Sequence, residues 1–259
     1  MSAPSSRLPL AGQRVVVTRA ESQGEGLLAA FAAAGAAVAA LPLLEVVPPS
    51  DPRPLERAAS ELALYDWLIF TSANAVRAFL PLSGGALPER LRVATVGAAT
   101  AAAVREFEIE PAIAGPADAA ALAAVLAPHV GRRRRVLLPQ AADAGPGLVD
   151  ALAAAGAEPV AVVAYDKRLP ADAADRAHAL FATSPIGWVT FTSGRIVRHF
   201  ARLFGEDWEL RRPELRAASI GRVTSAELAR HGVTPAAEAE RPEDAELVAA
   251  VVAAVATGG

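Results

Sequence analysis

The 259-residue chain contains no cysteine. Disulfides, thiolate metal sites and cysteine nucleophiles are therefore excluded, and the chain suits a reducing compartment. Aromatic residues make up only 5% of the sequence, and the formal net charge is −3. A charge so close to neutral argues against broad nucleic-acid binding, so any anion site must depend on local arginines and backbone amides.

Targeting segments are missing as well. The N-terminal stretch MSAPSSRLPLAGQR is polar and proline-rich, without the apolar core of a signal peptide. The longest late apolar run, at 247–256, is too short to cross a bilayer. We therefore expect a cytoplasmic protein that binds neither membranes nor nucleic acid.

Familiar catalytic motifs are also lacking. Neither a phosphate-binding G-x-x-x-x-G-K-[ST] loop nor a dinucleotide-binding G-x-G-x-x-G run after a strand occurs, and there is no G-x-S-x-G nucleophile elbow. The histidines have no metal-like spacing; they are His129, His178, His199 and His231. The motifs alone therefore indicate no metal site and no obvious chemistry.

The chain does contain an internal repeat. The stretch FTSANAVRAF, from Phe70, returns as FTSGRIVRHF from Phe191, 121 positions later. At the same offset, the segment that begins RVVVTR at Arg14 matches the one that begins RVLLPQ at Arg135. A third pair, TVGAATAAAV and SIGRVTSAEL, follows in the same order at an offset of 124. Three matched blocks in one order predict a duplication.

Each repeat reads as alternating strands and helices. The short apolar runs Val15–Thr18 and Val136–Leu138 suit buried parallel strands, and each precedes an Ala/Leu-rich helix that ends at Gly35 or Gly156. Later strands end in Thr-Ser or in Gly-x-x-Thr. This alternation predicts parallel sheets flanked by helices.

The loops after the predicted strands are candidate binding sites, because ligands of open α/β sheets bind beyond the carboxyl ends of the strands. These loops are rich in Ser, Thr and Gly, and the helix amides behind them suit carboxylate or phosphate groups. Capping alone is the commoner role of such residues in any single loop, and both interpretations stay open. The run at 132–135 of four arginines is expected to enter a strand with solvated side chains.

Together, the ordered motifs VVVTR, LIFTSANAV, VGAAT, VVAYDKRLP, VTFTSGRIV and IGRVTSAEL resemble the uroporphyrinogen-III synthase family, from about Arg14 to Val255. The resemblance implies an α/β fold of two flavodoxin-like parallel-sheet domains, formed from the internal repeat and joined by a two-stranded linker. Domain 1 would comprise residues 1–42 plus 169–259 and domain 2 residues 48–162. Residues 43–47 and 163–168 would form the linker strands.

The resemblance also implies a hydro-lyase of tetrapyrrole (haem, sirohaem or cobalamin) biosynthesis. Such enzymes cyclise the small molecule hydroxymethylbilane to uroporphyrinogen III, invert ring D and release water, without cofactor or metal. The acetates and propionates of that substrate fit loops that carry amides and arginines. The bilane cyclises unaided to the wrong isomer, so the task of the enzyme is mainly orientation. We expect it to act as a monomer.

The resemblance assigns roles to individual residues. Tyr165, in the central VVAYDKRLP segment, is the catalytic candidate, assisting departure of the ring A hydroxyl. The substrate-binding candidates are Arg19, Ser72, Gly97, Thr100, Ser193, Arg195, Gly221, Arg222 and Thr224. Position 140 is Gln where the other repeat has Arg19, so the two halves of the site should differ in charge. The difference between 73–75 (ANA) and 194–196 (GRI) is expected to distinguish the two ends of the substrate.

Two other functions remain compatible with a duplicated α/β chain. The first is a non-enzymatic two-domain binding protein or sensor for a polycarboxylate ligand. The second is a nucleotide-sugar glycosyltransferase, which the small lobes and the lack of an acidic nucleotide-binding signature disfavour.

Overall fold

The chain divides into two compact units. The computed structural model describes residues 8–84, 87–115, 119–130, 133–182 and 186–258. Unit 1 comprises Met1–Glu45 and Arg168–Gly259, and unit 2 comprises Val46–Lys167. Unit 1 is thus built from two separate stretches of chain, whereas unit 2 is continuous.

Strands and helices alternate along most of the described chain. The strands are β1 (Arg14–Val17), β2 (Ala37–Ala40), β3 (Glu45–Val47), β4 (Trp67–Phe70), β5 (Arg92–Val96), β6 (Ile113–Gly115), β7 (Arg135–Ala141), β8 (Glu158–Arg168), β9 (Gly187–Phe191), β10 (Leu215–Ser219) and β11 (Ala237–Glu238). The helices are α1 (Glu21–Ala33), α2 (Arg53–Ser60), α3 (Ala73–Phe79), α4 (Gly97–Arg105), α5 (Ala119–Val130), α6 (Gly147–Ala154), α7 (Ala173–Phe181), α8 (Gly194–Phe204), α9 (Trp208–Arg211), α10 (Arg222–Arg230) and α11 (Asp244–Thr257). Short 3-10 turns lie at Leu62–Leu64, Leu80–Ser83, Gly205–Asp207 and Arg212–Glu214.

The sheet of unit 1 has the order β2-β1-β9-β10-β11 among the described residues, and its pairs are parallel. Its central strand β1 contains three consecutive valines, as is typical of a strand that is buried on both faces of the sheet. Val16 packs in one apolar cluster with Phe191 and Phe200, while Val15 and Val17 pack in another with Phe31. The alternation of side chains along the strand therefore fills a core on each face.

The sheet of unit 2 has the order β3-β8-β7-β4-β5-β6 within the described part of the chain. By the repeat offset, β7 matches β1 and β4 matches β9. The five strands from β8 to β6 then follow the same order as the five strands of unit 1. Leu68 and Phe70 face one apolar cluster, and Trp67 and Ile69 face the other.

The boundary between the units falls inside β3 and at the end of β8, which are neighbours in the sheet. The segments 43–47 and 163–168, predicted as linker strands, overlap these two strands. β8 is the longest strand of the described residues and runs from Glu158 through Arg168.

Two glycines that lie 121 positions apart in the sequence each follow a helix. Gly35, after α1, has a φ of +96°, and Gly156, after α6, has a φ of +89°. Backbone in this region strains any residue with a Cβ, which is why glycine terminates each helix there. Among the helices of the described residues, none is long and apolar enough to cross a membrane.

Candidate active site

Serine residues cap the helices that follow the matching strands β4 and β9. Ser72 accepts a hydrogen bond from the amide of Ala75 at 3.2 Å, and Ser193 accepts one from the amide of Ile196 at 3.4 Å. Both serines have extended backbone, as an N-cap requires. The capping role predicted for these residues is therefore present, and the capping bond uses one acceptor position of each serine hydroxyl.

Tyr165 lies in unit 2 beside one of these caps. Its hydroxyl is 3.0 Å from Oγ of Ser72, and its residue surface is only 3% exposed. The ring belongs to the apolar cluster that contains Phe70 and Phe79. The ammonium of Lys167 lies 5.6 Å from the centre of the ring. The structure thus brings together two residues that the sequence proposed separately, 93 positions apart in the chain.

A β-bulge aims Tyr165 at this position. Along β8, Val160, Val162 and Ala164 face the same apolar cluster, so regular alternation would turn the next side chain to the opposite face. The register with β7 shifts here, from Gln140 opposite Val163 to Ala141 opposite Tyr165. The extra residue turns Tyr165 to the face of Ala164, and both are buried.

The two Gly-x-x-Thr loops use glycine for its backbone freedom. Gly97 has a φ of +73° at the start of α4, and Gly221 has a φ of +153° immediately before α10. Thr100 and Thr224 are only 5% and 4% exposed, so their side chains pack inward in this structure. The carbonyl of Gly221 accepts hydrogen bonds from the amides of Thr224 and Ser225, each at 3.0 Å.

A cavity of about 500 Å³ adjoins the second of these loops in unit 1. Three of the predicted substrate-binding residues line it: Gly221, Arg222 and Thr224. Glu238 and Glu240 also line it. The cavity therefore combines one guanidinium with two acidic groups, which the sequence analysis had not associated with the site.

Hydrogen bonds fix the loop beside this cavity. Ser219 Oγ lies 3.0 Å from the carbonyl oxygen of Gly221 and 2.9 Å from Oγ of Ser225. Ser225 in turn donates to the carboxylate of Glu238. This chain of contacts connects the end of β10 to β11 and holds the glycine in its unusual backbone conformation.

Arg19 follows β1, as predicted, but its guanidinium is engaged. Nη1 lies 2.8 Å from Oδ1 and 2.9 Å from Oδ2 of Asp244, the first residue of α11. The two side chains are 25% and 36% exposed, so a substrate carboxylate that reaches Arg19 has to compete with Asp244. Acidic residues are common in the first turn of a helix, but nothing local pointed to this partner.

The remaining predicted arginines belong to unit 1. Arg195 is the second residue of α8 and is half-buried, whereas Arg222 begins α10 and is exposed. Among the described residues, no group of three or more His, Asp or Glu side chains is arranged to hold a metal ion.

Comparison with known proteins decides the family. The family model described as uroporphyrinogen-III synthase HemD matches residues 25–249. The chain belongs to the uroporphyrinogen-III synthase family. The uroporphyrinogen-III synthase of Synechococcus elongatus is 35% identical over 234 residues, which cover 84% of this chain and 86% of that protein. The porphyrin biosynthesis protein HemD of Ruminiclostridium josui is 27% identical over 201 residues, 74% of this chain but 39% of that longer protein.

Solved structures support the fold of the family. The uroporphyrinogen-III synthetase of Helicobacter pylori has a TM-score of 0.64 at 18% identity and covers 93% of this chain and 99% of its own. A mutant uroporphyrinogen III synthase of Thermus thermophilus has a TM-score of 0.61 at 19% identity, with coverages of 95% and 99%. At these identities the likeness concerns the fold alone.

The predicted family and reaction class are confirmed. The protein is a hydro-lyase of tetrapyrrole biosynthesis that acts on a small-molecule tetrapyrrole, as its family and its 35% identical relative indicate. The predicted α/β class with parallel-sheet domains is confirmed as well.

Proposed function

We propose that the protein closes hydroxymethylbilane to uroporphyrinogen III through the residues described above. The observation that carries this proposal is the family match over residues 25–249. In the reaction, the C–O bond of the ring A hydroxymethyl group breaks and its oxygen leaves as water with one proton. The resulting cationic carbon bonds to the substituted carbon of ring D and gives a spiro intermediate. The bond from that carbon to the bridge of ring C then breaks, and the bridge carbon bonds to the unsubstituted α-carbon of ring D. That carbon loses its proton, which leaves ring D inverted and balances the proton consumed in the loss of water.

Tyr165 is the proposed source of the proton for the departing hydroxyl. The support is its hydrogen bond to Ser72 and the bulge that aims it there. A positioned acid of this kind contributes roughly 10²–10⁴-fold to a rate. Because the bilane loses its hydroxyl readily, loss of the tyrosine hydroxyl should slow turnover without abolishing it.

The strand-end loops and their arginines are proposed to hold the carboxylates of the substrate. Arg222 is favoured by its place in the cavity beside Gly221, where it offers a planar guanidinium to a carboxylate. Glu238 and Glu240, which also line the cavity, repel further carboxylates, so this cavity is proposed to take a single acidic arm. Ser193, Arg195, Gly97, Thr100 and Thr224 remain proposed contacts.

The two units are proposed to be copies of one flavodoxin-like repeat, joined by a linker formed from β3 and β8. The support is the common strand order of the two sheets and the place where the chain passes between units. We also propose that the enzyme acts as a monomer and needs no cofactor.

The reaction is tested by supplying freshly prepared hydroxymethylbilane and resolving the oxidised products by isomer. The expected result is uroporphyrin III with enzyme and uroporphyrin I in the enzyme-free control. If isomer I alone forms in both samples, the proposal is wrong. If the enzyme orients ring D, it should raise the ratio of isomer III to isomer I as well as the rate of ring closure.

A further inference from the structure

The side chain of Ser72 has two hydrogen-bond partners at once. It accepts from the backbone amide of Ala75 at 3.2 Å, and its Oγ lies 3.0 Å from the hydroxyl oxygen of Tyr165. A serine hydroxyl has one proton to donate and two acceptor positions. The first contact fixes α3, and the second reaches the proposed proton donor of the reaction.

The cap leaves Ser72 able to donate the second hydrogen bond. An amide N–H can only donate, so the contact with Ala75 uses an acceptor position of Ser72 and leaves its proton available. The hydroxyl oxygen of Tyr165, 3.0 Å away, can accept that proton. If Ser72 donates to Tyr165, the tyrosine keeps its own proton available for a second partner, as a general acid requires.

The other unit lacks this pair. Ser193 caps α8 with the same geometry, through the amide of Ile196. At the repeat offset, the residue that corresponds to Tyr165 is Leu44, which carries no hydroxyl. The register between β1 and β2 is also regular, whereas the bulge of β8 aims Tyr165 at Ser72. The cap therefore does not need a tyrosine, and the pairing is a property of unit 2.

We propose that Ser72 is a positioning residue for Tyr165: it donates to the tyrosine oxygen and directs the tyrosine proton toward the departing ring A hydroxyl. This inference rests on the proposed role of Tyr165 in the reaction. Ser72 differs in this from a residue that only contacts the substrate, because its effect on the rate passes through Tyr165.

The test compares kcat and KM for uroporphyrinogen III formation, with the isomer I background subtracted. We expect Ser72→Ala to lower kcat at least about tenfold, toward the value of Tyr165→Phe, with a change in KM below about threefold. Ser72→Thr retains a hydroxyl at the same position and should stay within about threefold of the wild-type kcat. Ser72→Gly also lacks the hydroxyl but retains most of the stability of an N-cap, and should behave as Ser72→Ala does.

A double-mutant cycle separates positioning from structural damage. In the Tyr165→Phe background, Ser72→Ala should lower kcat no further, because the proton it orients is gone. Loss of the cap alone would act equally in both backgrounds. Ser193→Ala measures the loss of a cap alone, in unit 1. Ser72→Ala should lower the melting temperature at least as much, because it also loses the hydrogen bond to Tyr165.

The possible outcomes distinguish this inference from the proposed function. If Tyr165→Phe retains the full kcat, the proposed acid role of the tyrosine is wrong. If Tyr165→Phe is slow but Ser72→Gly and Ser72→Ala keep the wild-type kcat, only the positioning role is overturned. Equal losses from Ser72→Ala in both backgrounds would also overturn it and assign the effect to loss of the cap. A rise confined to KM would overturn it and assign Ser72 to substrate contact.

Discussion

Arg19 and Asp244 show how a single ion pair limits a predicted binding residue. The carboxylate of Asp244 lies within 2.9 Å of Nη1 of Arg19, and both side chains are partly exposed. Ion pairs of this kind contribute about 0.2–1 kcal/mol, so the competition they impose on a substrate carboxylate is small but measurable.

The pair predicts opposite changes in KM for the bilane. Arg19→Gln should raise KM up to about fivefold, and Asp244→Asn should lower it by up to the same factor, since 1 kcal/mol corresponds to about fivefold in affinity. Steady-state kinetics at low ionic strength would measure both. A rise in KM for both variants would show that Asp244 orients Arg19 instead of competing for it.

The backbone of Gly221 leads to a second prediction at this scale. A Cβ built on Gly221 meets nothing within 4 Å, but the φ of +153° is strained for any other residue. Gly221→Ala should therefore lower the free energy of unfolding by about 1–3 kcal/mol through strain alone. Gly26 is the matched control, because it lies inside α1, also has open space for a Cβ and has no positive φ.

The control should change stability in the opposite direction. Alanine in a helix interior is favoured over glycine by about 0.5–1 kcal/mol, so Gly26→Ala should raise the melting temperature. Thermal unfolding of both variants checks the pair. If both variants raised the melting temperature equally, the loop at Gly221 would accommodate alanine without strain.

At the scale of elements, Glu227 holds the helices α8 and α10 together. Its carboxylate accepts from Arg198 at 3.0 Å and from Arg230 at 2.8 Å, and its side chain is 10% exposed. Gly194 permits this approach, since a Cβ there would lie 3.3 Å from Cβ of Glu227. The matching position of the repeat, Ala73, has a side chain. Helix packing therefore explains why position 194 is glycine where position 73 is alanine, without reference to the substrate.

Glu227→Gln should lower the free energy of unfolding by about 1–3 kcal/mol, because two guanidinium groups lose a charged acceptor. The comparable pair in unit 2, Arg77 with Glu106, is more than half exposed on each side. Glu106→Gln should therefore cost less than about 1 kcal/mol. Denaturant unfolding of the two variants measures the difference, and equal losses would contradict a special role for Glu227.

The same carboxylate predicts a pH dependence. Hydrogen bonds from Arg198 and Arg230 hold the pKa of Glu227 below its ordinary value of 4.5, although burial opposes them. Because folding lowers this pKa, the contribution to stability is complete above pH 4.5 and is lost as the pH falls through the lower folded value. The stability difference between wild type and Glu227→Gln should therefore narrow below pH 4.5. If the stability difference between the two proteins stayed constant down to the pH of acid unfolding, ionisation of Glu227 would not be its cause.

The sequence predicts elements better than contacts between distant residues. The valine run of β1 and the glycines after α1 and α6 were recognisable because local patterns determine them. The direction of Tyr165 was not, since a one-residue bulge reverses which face a side chain occupies. The partner of Arg19 lies 225 positions away, and only the assembled sheet brings it near.

At the scale of the whole molecule, the two units differ in how they can fold. Unit 2 is one continuous stretch, Val46–Lys167, with its own apolar clusters on both faces of its sheet. Unit 1 needs both ends of the chain, because β1 lies between β9 and β2. A fragment that starts at Arg168 contains β9, β10 and β11 but lacks this central strand.

We expect residues 46–167 to fold alone with a cooperative thermal transition, and residues 168–259 to remain unfolded alone. Adding a peptide of residues 8–45 should restore structure to the second fragment. Circular dichroism during heating would test all three samples. A cooperative transition in 168–259 alone would show that β9 to β11 are stable without β1.

The interrupted course of unit 1 also fixes an order of events on the ribosome. The N-terminal β1 and β2 emerge first, but the strand that pairs with the open side of β1 begins at Gly187. Unit 2 is synthesised in between. At roughly 5–20 residues per second, the roughly 150 intervening residues take about 7–30 s. During that time the valines of β1 have no β9 to pair with in the nascent chain. We therefore expect the N-terminal segment to bind a chaperone during translation.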